Sequence, residues 1–500
     1  MSNRIEQPLF LDQCMELAND VDADAIAIVA ADGTTTTRRE LKRMAEAVAA
    51  RLTAAALAPR DRVAILARKS PETIAAFLGA SLAGIVYIPL DGKAAPEYWR
   101  AVMSDLNVRA LLTDRTMAAD AFSPVRLLPL AGGPDKTLAE LAIGSAVARP
   151  RNSHDDAYVL ATSGSTGRPK GVLLSHANAL SFVDWAIREI GLRSDDTVLG
   201  IAPFHFDLSV FDIYAAMQQR ARLVLAPELA TTFPGLIVEA IEANQVSVLY
   251  TVPTILRTLH DTGAFAGDAA TSLRVVIYAG EPFPAPALAR LMRALPHVAF
   301  FNFFGPTETN VCLAHRLTAP PADSAEIPIG TPASFADIRL VDQTGAAVAG
   351  DAIGEIMVDG PTVMKGYIAA NGFTPAPRPF ATGDFARRGP DNALYFCGRR
   401  DQQVKVRGMR IELQGVDDAL FAWPGVTEVA TFVIGQDLVA CIGADEPIDE
   451  AALAAACRSR LPPGSQPHRF VRFASFPRLS NGKVDRVSLK AQASRPKSGD

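Results

Sequence analysis

The chain has 500 residues, more than one hydrophobic core usually serves, so we expect two or more domains. A hydrophobic fraction of 49% and a charged fraction of 21% are typical of a soluble globular protein. The net charge is −5, and no block of basic residues stands out, which argues against a nucleic-acid partner.

Five cysteines are scattered through the chain, an odd number without the spacing of a zinc site. This pattern indicates reduced thiols and a cytoplasmic protein rather than a disulfide framework. The N-terminal residues contain no signal-peptide core. The longest uncharged run, from Ile74 to Leu90, is interrupted by Gly84 and Pro89, and we interpret it as a buried helix followed by a strand rather than a membrane span.

The first third of the chain alternates helical and strand patterns. Helical spacing from about Arg38 to Leu57 precedes a predicted strand from Arg62 to Ala67. Ser70 then caps a helix that has Pro71 at its first position, and residues 85–90 form another strand. The order predicts an α/β fold with a mainly parallel sheet. Residues 130–156 form a polar connector.

A glycine-rich loop follows the strand predicted from Tyr158 to Ala161. It reads Thr-Ser-Gly-Ser-Thr-Gly-Arg-Pro-Lys-Gly over residues 162–171, and a second strand and a helix from about His176 come next. Such a loop exposes backbone N–H groups that suit a polyphosphate, although a flexible turn has the same composition. Arg168 and Lys170 favour the anion site. The loop is not a Walker motif, because no Ser or Thr follows the lysine.

Polar residues in the middle of the chain sit at the ends of apolar runs. Asp207, in Phe-His-Phe-Asp-Leu-Ser, precedes a helical pattern from Val210 to Gln219, and its carboxylate is either a helix cap or the buried partner of a cation. Strands are predicted over 246–251, followed by a helix from Pro253, and over 275–279, where the turn Gly280-Glu281-Pro282 ends the strand.

Three later motifs complete the pattern. Residues 302–308 read Asn-Phe-Phe-Gly-Pro-Thr-Glu, which alone could be a surface turn. Residues 382–384 read Thr-Gly-Asp, and residues 398–412 alternate charged and apolar residues like two strands joined by a turn, often only a solvated edge. Lys483 lies in an Asn-Gly turn, where a lysine is usually exposed.

Together, in this order and spacing, these motifs resemble those of the adenylate-forming superfamily, which includes acyl-CoA synthetases, luciferases and the amino-acid adenylation domains of nonribosomal peptide synthetases. The resemblance spans essentially the whole chain. It implies an α/β protein with a large N-terminal domain of layered helices and sheets, residues 1–400, and a small mobile C-terminal α+β domain, residues 401–500. The hinge between them would be Asp401, and Gly408 would leave room for a thiol arm.

The resemblance also implies an ATP site with Mg²⁺. Its residues would be Thr162, Ser163, Gly164, Ser165, Thr166, Gly167, Lys170, Gly280, Glu281, Pro282, Asn302, Phe303, Phe304, Gly305, Thr307, Asp384 and Arg399. Among them, Thr307 would hold an α-phosphate oxygen and Asp384 the ribose hydroxyls, while Glu308 would ligate the metal. Phe304 stands where the family usually has tyrosine. Lys483 would bridge the attacking carboxylate and the α-phosphate. His205 would gate the thiol tunnel or be a packed histidine.

In amino-acid-activating members, the aspartate at position 207 pairs with the substrate ammonium. The family's pocket positions fall on Asp207, Leu208, Phe211, Tyr250, Ile277, Ala279, Phe303, Val311, Cys312 and Lys483. The set is apolar between Asp207 and Lys483 apart from the Tyr250 hydroxyl, with no second buried charge, so we expect a small apolar side chain. It resembles the pocket of stand-alone enzymes that load L-proline, although Phe211 and Phe303 are bulkier than expected.

No Gly-Gly-x-Ser carrier signature follows residue 486. We therefore expect a stand-alone ligase that loads the phosphopantetheine thiol of a separate carrier protein. The alternatives are a ligase for D-alanine or another small amino acid, an acyl- or aryl-CoA ligase for which Asp207 would be only a cap, and an adenylate-binding module without turnover.

Overall fold

The computed structural model describes residues 10–15, 22–117, 122–130, 152–163, 168–263, 265, 271–400, 403–407, 409–444, 448–478 and 484–494. The chain divides into two compact units. The first comprises Met1–Gly92, Leu106–Ala161 and Gly171–Arg400, and the second comprises Lys93–Asp105, Thr162–Lys170 and Asp401–Asp500.

The strands, in chain order, are β1 (Ile26–Val29), β2 (Thr35–Thr37), β3 (Arg62–Leu66), β4 (Val86–Pro89), β5 (Val108–Thr113), β6 (Arg126–Pro129), β7 (Asp156–Ser163), β8 (Pro169–Ser175), β9 (Thr197–Gly200), β10 (Arg222–Leu225), β11 (Val248–Thr251), β12 (Val275–Ala279), β13 (Ala299–Phe304), β14 (Leu313–Leu317), β15 (Thr331–Pro332), β16 (Asp337–Val341), β17 (Gly354–Asp359), β18 (Gly366–Ala369), β19 (Gly372–Pro375), β20 (Phe380–Arg388), β21 (Leu394–Arg399), β22 (Gln403–Val406), β23 (Met409–Glu412), β24 (Val426–Ile434), β25 (Asp437–Ala444) and β26 (Arg469–Phe473).

The α-helices are α1 (Arg38–Ala54), α2 (Pro71–Leu82), α3 (Pro96–Asp105), α4 (His176–Ile190), α5 (Leu208–Val210), α6 (Ala216–Gln219), α7 (Gly235–Asn244), α8 (Pro253–Asp261), α9 (Ala285–Ala294), α10 (Leu413–Phe421), α11 (Glu450–Arg460) and α12 (Arg486–Ala493). A π-helical turn, Phe211–Ala215, joins α5 to α6, and Leu11–Met15 form a 3₁₀ helix.

Two large sheets carry the first unit. Among the described residues, one sheet has the order β15-β14-β13-β12-β11-β9-β10-β1-β2 and the other the order β19-β18-β8-β7-β4-β3-β5-β6. Their central strands are parallel, as the sequence predicts, because successive strands are joined through helices. A third sheet, β16-β17-β20-β21, is antiparallel, and the sequence analysis did not anticipate it.

Local sequence explains where the helices begin. Ser70 accepts a hydrogen bond from the backbone N–H of Thr73 and Pro71 occupies the first turn of α2, as predicted. Ser175 and Asn178 form a capping box at the start of α4. The uncharged run from 74 to 90 is divided between α2 and β4, and no helix in the described part of the chain is long and apolar enough to cross a bilayer.

The core lies on both faces of the first sheet. Along β11, β12 and β13, alternate side chains enter two different buried clusters. Leu249, Val276 and Phe300 pack into one cluster with α7, α8 and α9, which include Ile237, Leu256 and Leu288. The residues between them in sequence, described below, face the opposite side and pack against α4 and the segment 208–217.

The second unit contains a β22–β23 hairpin, as predicted for residues 398–412, and a sheet in which β25 pairs antiparallel with β24 and parallel with β26. Its described core includes Val416, Leu438 and Leu453. Strands and helices together make this unit α+β, in agreement with the expectation for the C-terminal part.

Candidate functional site

Asp207 lies in the segment between β9 and α5, in the first unit. Its backbone is already helical, with φ −61° and ψ −26°, and its side chain makes no cap hydrogen bond. The cap interpretation is therefore wrong, because a capping side chain needs an extended backbone to turn back onto the helix. The carboxylate instead accepts a 2.7 Å hydrogen bond from the hydroxyl of Thr307.

Aromatic rings form the wall next to this carboxylate. The rings of Phe211 and Tyr250 meet edge to face with centroids 5.5 Å apart, and Tyr250 and Phe303 do so at 5.9 Å. Trp185, on α4, lies 5.0 Å from Phe303. These four side chains are buried and form one apolar cluster.

Strand register explains why residues distant in sequence share this wall. Tyr250 on β11 is level with Ile277 on β12, and Ala279 is level with Phe303 on β13. Neighbouring residues in register, and residues two apart, point to the same face of a sheet. The remaining predicted pocket residues, Leu208, Phe211, Val311 and Cys312, belong to the same buried cluster.

Burial also changes the pKa of the Tyr250 hydroxyl, which belongs to this aromatic wall. It raises the pKa of the Tyr250 phenol well above its ordinary value, and the carboxylates of Asp207 and Asp212 add to the rise. Tyr250 therefore stays protonated and can serve as a hydrogen-bond donor.

The segment 305–311 is a tight loop after β13. A β-carbon at Gly305 would overlap the carbonyl oxygen of Asn310, so only glycine fits there. Asn310 itself has φ of 52° and accepts a 2.7 Å hydrogen bond from the N–H of Val311 through its side chain. This compact turn holds Thr307 and Glu308 in fixed directions.

Glu308 is fully buried, and its carboxylate accepts a 2.6 Å hydrogen bond from the hydroxyl of Tyr367. The described residues contain no cluster of three or more metal-binding side chains. A single carboxylate nevertheless fits Mg²⁺, which proteins often bind through one or two carboxylates and substrate phosphates. The donor chemistry of Glu308 therefore suits the metal that the resemblance implies.

Asp384 lies on β20, next to β21. Its carboxylate pairs with the guanidinium of Arg399, with both side chains mostly buried. The Asp384 N–H donates to the hydroxyl of Thr382 at 3.0 Å, and Gly383 has φ of 75°. Two predicted nucleotide residues are thus brought together.

The turn after β12 and the middle of β13 hold other predicted nucleotide residues. Glu281 accepts hydrogen bonds from the N–H and hydroxyl of Thr254, at 3.1 and 2.7 Å. Asn302 donates to the carbonyl of Pro328 at 2.9 Å, and the ring of Phe304 lies 6.0 Å from that of Phe396. Gly280 has φ of 91°, a backbone conformation that suits glycine.

His205 is half-buried, and its Nε2 lies 3.7 Å from the carboxylate of Asp91. The histidine is thus neither a fully packed core residue nor an open surface residue. Its predicted role as a gate stays a prediction.

The ends of the glycine-rich loop belong to the second unit. The guanidinium of Arg168 makes two hydrogen bonds, of 3.0 and 2.6 Å, to the buried carboxylate of Asp105. Lys170 pairs with Glu412 at 3.2 Å, and the Thr162 hydroxyl donates to the Lys170 carbonyl at 3.4 Å. Both predicted phosphate-binding cations thus already contact carboxylates. Gly164, Ser165, Thr166, Gly167, Asp401, Gly408 and Lys483, and the side chain of Ser163, lie outside the described residues.

The sequence analysis expected no second buried charge in the pocket, and it did not consider the carboxyl of Asp212. Asp212, in the π-helical turn, is 1% exposed, and neither carboxyl oxygen has a hydrogen-bond partner among the described residues. Burial raises the pKa of Asp212 well above its ordinary value, and the charge of Lys69 opposes that rise. Burial therefore disfavours the charged form of this carboxyl.

Sequence reasoning also missed Trp185, Tyr367 and Lys69. Trp185 contacts Phe303, Tyr367 contacts Glu308 and Lys69 contacts Gly200. Each pair is far apart in sequence, and none of the three residues belongs to a recognisable motif. Only the acidic residue at 212, within an otherwise apolar helical pattern, gave a signal that could have been used.

The chain is similar to known proteins along most of its length. A family model described as "AMP-binding enzyme" matches residues 15–368. An L-proline–[L-prolyl-carrier protein] ligase from Pseudomonas fluorescens is 36% identical over 450 residues, covering 86% of this chain and 89% of the relative. A ligase of the same name from Streptomyces coelicolor is 34% identical over 492 residues, covering 90% of this chain and 91% of the relative.

Among solved structures, holo-PA1221, described as a nonribosomal peptide synthetase protein containing adenylation and carrier domains, aligns with a TM-score of 0.83. The alignment covers 97% of this chain and 85% of that one, at 24% sequence identity. At this identity the likeness shows the fold, which agrees with the α/β architecture expected from the sequence.

Proposed function

The chain belongs to the AMP-binding enzyme family, which uses ATP, and we propose that it activates an amino acid as aminoacyl-AMP and passes it to the phosphopantetheine thiol of a carrier protein. L-proline is the favoured substrate. Within this proposal, residues 1–400 form the adenylation core, residues 401–500 form the lid, and Asp401 is the hinge.

The observation that carries this proposal is the carboxylate of Asp207. It makes no helix cap, is half-buried, and lies in the segment whose neighbours form the aromatic wall of Phe211, Tyr250 and Phe303. A carboxylate partly withdrawn from water attracts a cation more strongly than one in bulk water. The ammonium of an amino acid supplies the cation, whereas a fatty or aryl acid does not.

The favoured side chain follows from size and polarity. Three aromatic rings flank the Asp207 segment, and burial disfavours the charged form of the nearby Asp212, which argues against a substrate with a charged side chain. Proline is compact and apolar and meets both conditions. The two relatives named as L-proline ligases support this choice at 36% and 34% identity.

In the first half-reaction, a carboxylate oxygen of the amino acid attacks the α-phosphorus of ATP. The bond between the α-phosphorus and the oxygen that bridges it to the β-phosphate breaks, and pyrophosphate leaves. Such transfers depend on alignment and on neutralising charge. We assign Thr307 to the α-phosphate, Asp384 to the ribose, and Lys483 to the attacking carboxylate. Glu308 would hold Mg²⁺, which when bound offsets charge on the phosphates.

In the second half-reaction, the sulfur of the carrier thiol, having lost its proton, attacks the acyl carbon and AMP leaves. We assign the passage of the thiol arm to the neighbourhood of Gly408, with His205 as the gate. The names of the two relatives, which refer to a prolyl-carrier protein, support a carrier as the acceptor.

The proposal is tested by ATP–pyrophosphate exchange with each common amino acid, both enantiomers of proline and alanine, and several aryl and fatty acids. We expect one strong signal, with L-proline. A strong signal with D-alanine or another small amino acid would retain the enzyme class and reject the proline assignment. Exchange only with acids that lack an amino group would reject amino-acid activation and favour a CoA ligase.

The acceptor is tested separately by incubating the enzyme with ATP, labelled L-proline and either a phosphopantetheinylated carrier protein or free CoA. We expect hydroxylamine-sensitive label on the carrier and little on CoA. Label on CoA alone would reject the carrier assignment while leaving amino-acid activation intact.

A further inference from the structure

The segment that presents His205 and Asp207 begins at the C-terminal end of β9 and has no regular secondary structure before α5. At its far end, the hydroxyl of Ser209 donates to the carbonyls of Phe206 and Phe204, at 2.7 and 3.3 Å. At its near end, the carbonyl of Gly200, the last residue of β9, accepts a 3.1 Å hydrogen bond from the backbone N–H of Ala226, and Ile201 is the first residue after the strand. What holds that near end therefore decides where the segment starts.

Lys69 holds it. Its ammonium donates hydrogen bonds to the carbonyls of Gly200 and Ile201, at 3.0 and 2.8 Å, and lies 5.8 Å from the centre of the Phe204 ring. A hydrogen bond from a charged donor is stronger than one between neutral groups. Lys69, a residue from outside the segment, thus contacts it at three points, Gly200, Ile201 and Phe204.

Lys69 is itself fixed by its own surroundings. It lies in the short turn between β3 and α2, next to the helix cap Ser70. Its backbone N–H donates to the carboxylate of Glu228 at 3.3 Å, and the hydroxyl of Thr73 donates to the carbonyl of Arg68 at 2.6 Å. Because these hydrogen bonds fix the backbone of the turn, they also limit where the ammonium of Lys69 can lie.

A buried carboxyl also lies near the end of β9 that Lys69 contacts. A β-carbon at Gly200 would lie 3.8 Å from that of Asp212, so the buried Asp212 and the ammonium of Lys69 flank the same glycine. The charge of Lys69 favours the ionised form of that carboxyl, which burial disfavours. A neutral side chain at position 69 would lose the two hydrogen bonds to the carbonyls of Gly200 and Ile201.

We propose that Lys69 is a positioning residue for amino-acid binding: its ammonium fixes the start of the segment 200–206 and so places the carboxylate of Asp207. The proposal rests on the proposed function insofar as Asp207 binds the substrate ammonium. Lys69 itself touches neither substrate nor nucleotide in this proposal.

The experiment compares the whole enzyme with Lys69→Met, Lys69→Arg and Arg222→Met. Arg222 is a matched control, because it donates to the backbone carbonyl of Asn244 at 2.6 Å beside the opposite end of the same sheet. In amino-acid-dependent exchange, we expect Lys69→Met to raise the KM for the amino acid about tenfold, the equivalent of one charged hydrogen bond, and to leave the KM for ATP within twofold.

Lys69→Arg should restore most of the affinity, since a guanidinium can also donate to two carbonyls. Arg222→Met should change both KM values by less than twofold even where it lowers the melting temperature. Equal rises in both KM values for Lys69→Met, or no change in either, would overturn the proposal and leave Lys69 with a purely structural role.

A second measurement does not depend on turnover. Hydrogen–deuterium exchange of peptides that cover residues 200–209 should be about tenfold faster in Lys69→Met than in the unmodified enzyme and unchanged in Arg222→Met, because local opening follows the lost hydrogen bonds. If the unmodified enzyme activates no amino acid, the proposed function fails, yet this readout still decides whether Lys69 anchors the segment. Unchanged exchange in Lys69→Met would overturn the anchoring.

Discussion

The hydroxyl of Thr307 donates a 2.7 Å hydrogen bond to the carboxylate of Asp207. Thr307 is assigned to the nucleotide and Asp207 to the amino acid, and the two are 100 residues apart in sequence. One hydrogen bond thus connects the two halves of the proposed substrate site. It also supplies the Asp207 carboxylate with a donor in the absence of a helix cap.

Asp207→Ala is expected to abolish amino-acid-dependent ATP–pyrophosphate exchange. The substrate ammonium would lose its half-buried partner, and the cost approaches the roughly 3–5 kcal/mol of a fully buried pair, or about a hundredfold in affinity. Asp195→Ala is the control, since that side chain is 74% exposed and contacts only Arg193 among the ion pairs of the described residues. Full activity of Asp207→Ala would reject the amino-acid assignment.

Tyr367→Phe tests the surroundings of Glu308. The change removes the 2.6 Å hydrogen bond to a fully buried carboxylate and should alter how firmly that group is oriented toward a metal. We expect the Mg²⁺ concentration for half-maximal exchange to rise about tenfold, and chelation of divalent cations to stop the reaction. Tyr395→Phe, which removes an exposed hydrogen bond to Asp391, should have no such effect. An unchanged Mg²⁺ requirement in Tyr367→Phe would argue against Glu308 as the ligand.

Phe303→Leu is expected to relax the size limit of the pocket. The ring lies against both Trp185 and Tyr250, so a smaller side chain opens space beside the substrate. One methylene in an apolar pocket is worth roughly 1–3 kcal/mol, so the preference for L-proline over its six-membered-ring homologue should fall about tenfold or more.

Phe300→Leu is the matched control for that variant. It lies on the same strand, is equally buried, and faces the other cluster, so it should destabilise the protein without changing the preference. The same selectivity in Phe303→Leu as in the unmodified enzyme would mean that Phe303 does not line the substrate site.

Asp212→Asn is expected to change how stability depends on pH. Burial raises the pKa of Asp212 in the folded protein above the value of about 3.9 in the unfolded chain. The stability that this group contributes is therefore complete below that unfolded pKa and is lost as the pH rises through the folded pKa. Over this window the loss approaches about 1.4 kcal/mol per pH unit.

Asparagine mimics the neutral acid and cannot ionise. The free energy of unfolding of Asp212→Asn, measured by denaturant titration, should thus exceed that of the unmodified protein by more at pH 7 than at pH 5. A difference that is constant between these two pH values would mean that the carboxyl is already ionised in the folded protein.

Gly305→Ala should disrupt the loop that carries Thr307 and Glu308. The new β-carbon would overlap the carbonyl of Asn310, so the backbone must move. We expect ATP affinity measured by equilibrium binding to fall at least tenfold, whereas Gly235→Ala, at a site where a β-carbon meets nothing within 4 Å, should bind ATP normally. Normal ATP binding by Gly305→Ala would show that the loop tolerates the shift.

The sequence by itself determined the family, the α/β class with a mainly parallel sheet, and several of the helices and strands. These depend on local patterns: glycine and proline at turns, caps such as Ser70, and apolar runs such as Val275–Ala279, which matches its predicted strand residue for residue. Motifs of neighbouring residues, such as 302–308, are likewise visible without coordinates.

Only the tertiary structure decided the contacts between distant segments. The sequence left a helix cap and a cation partner open for Asp207, and only the backbone angles excluded the cap, whereas the cation partner stays a prediction. Lys69 and Asp212 meet at Gly200 through the packing of separate elements, which no periodicity reports. The burial that raises the pKa of Asp212 is also a sum over many neighbours, so it depends on the fold rather than on composition.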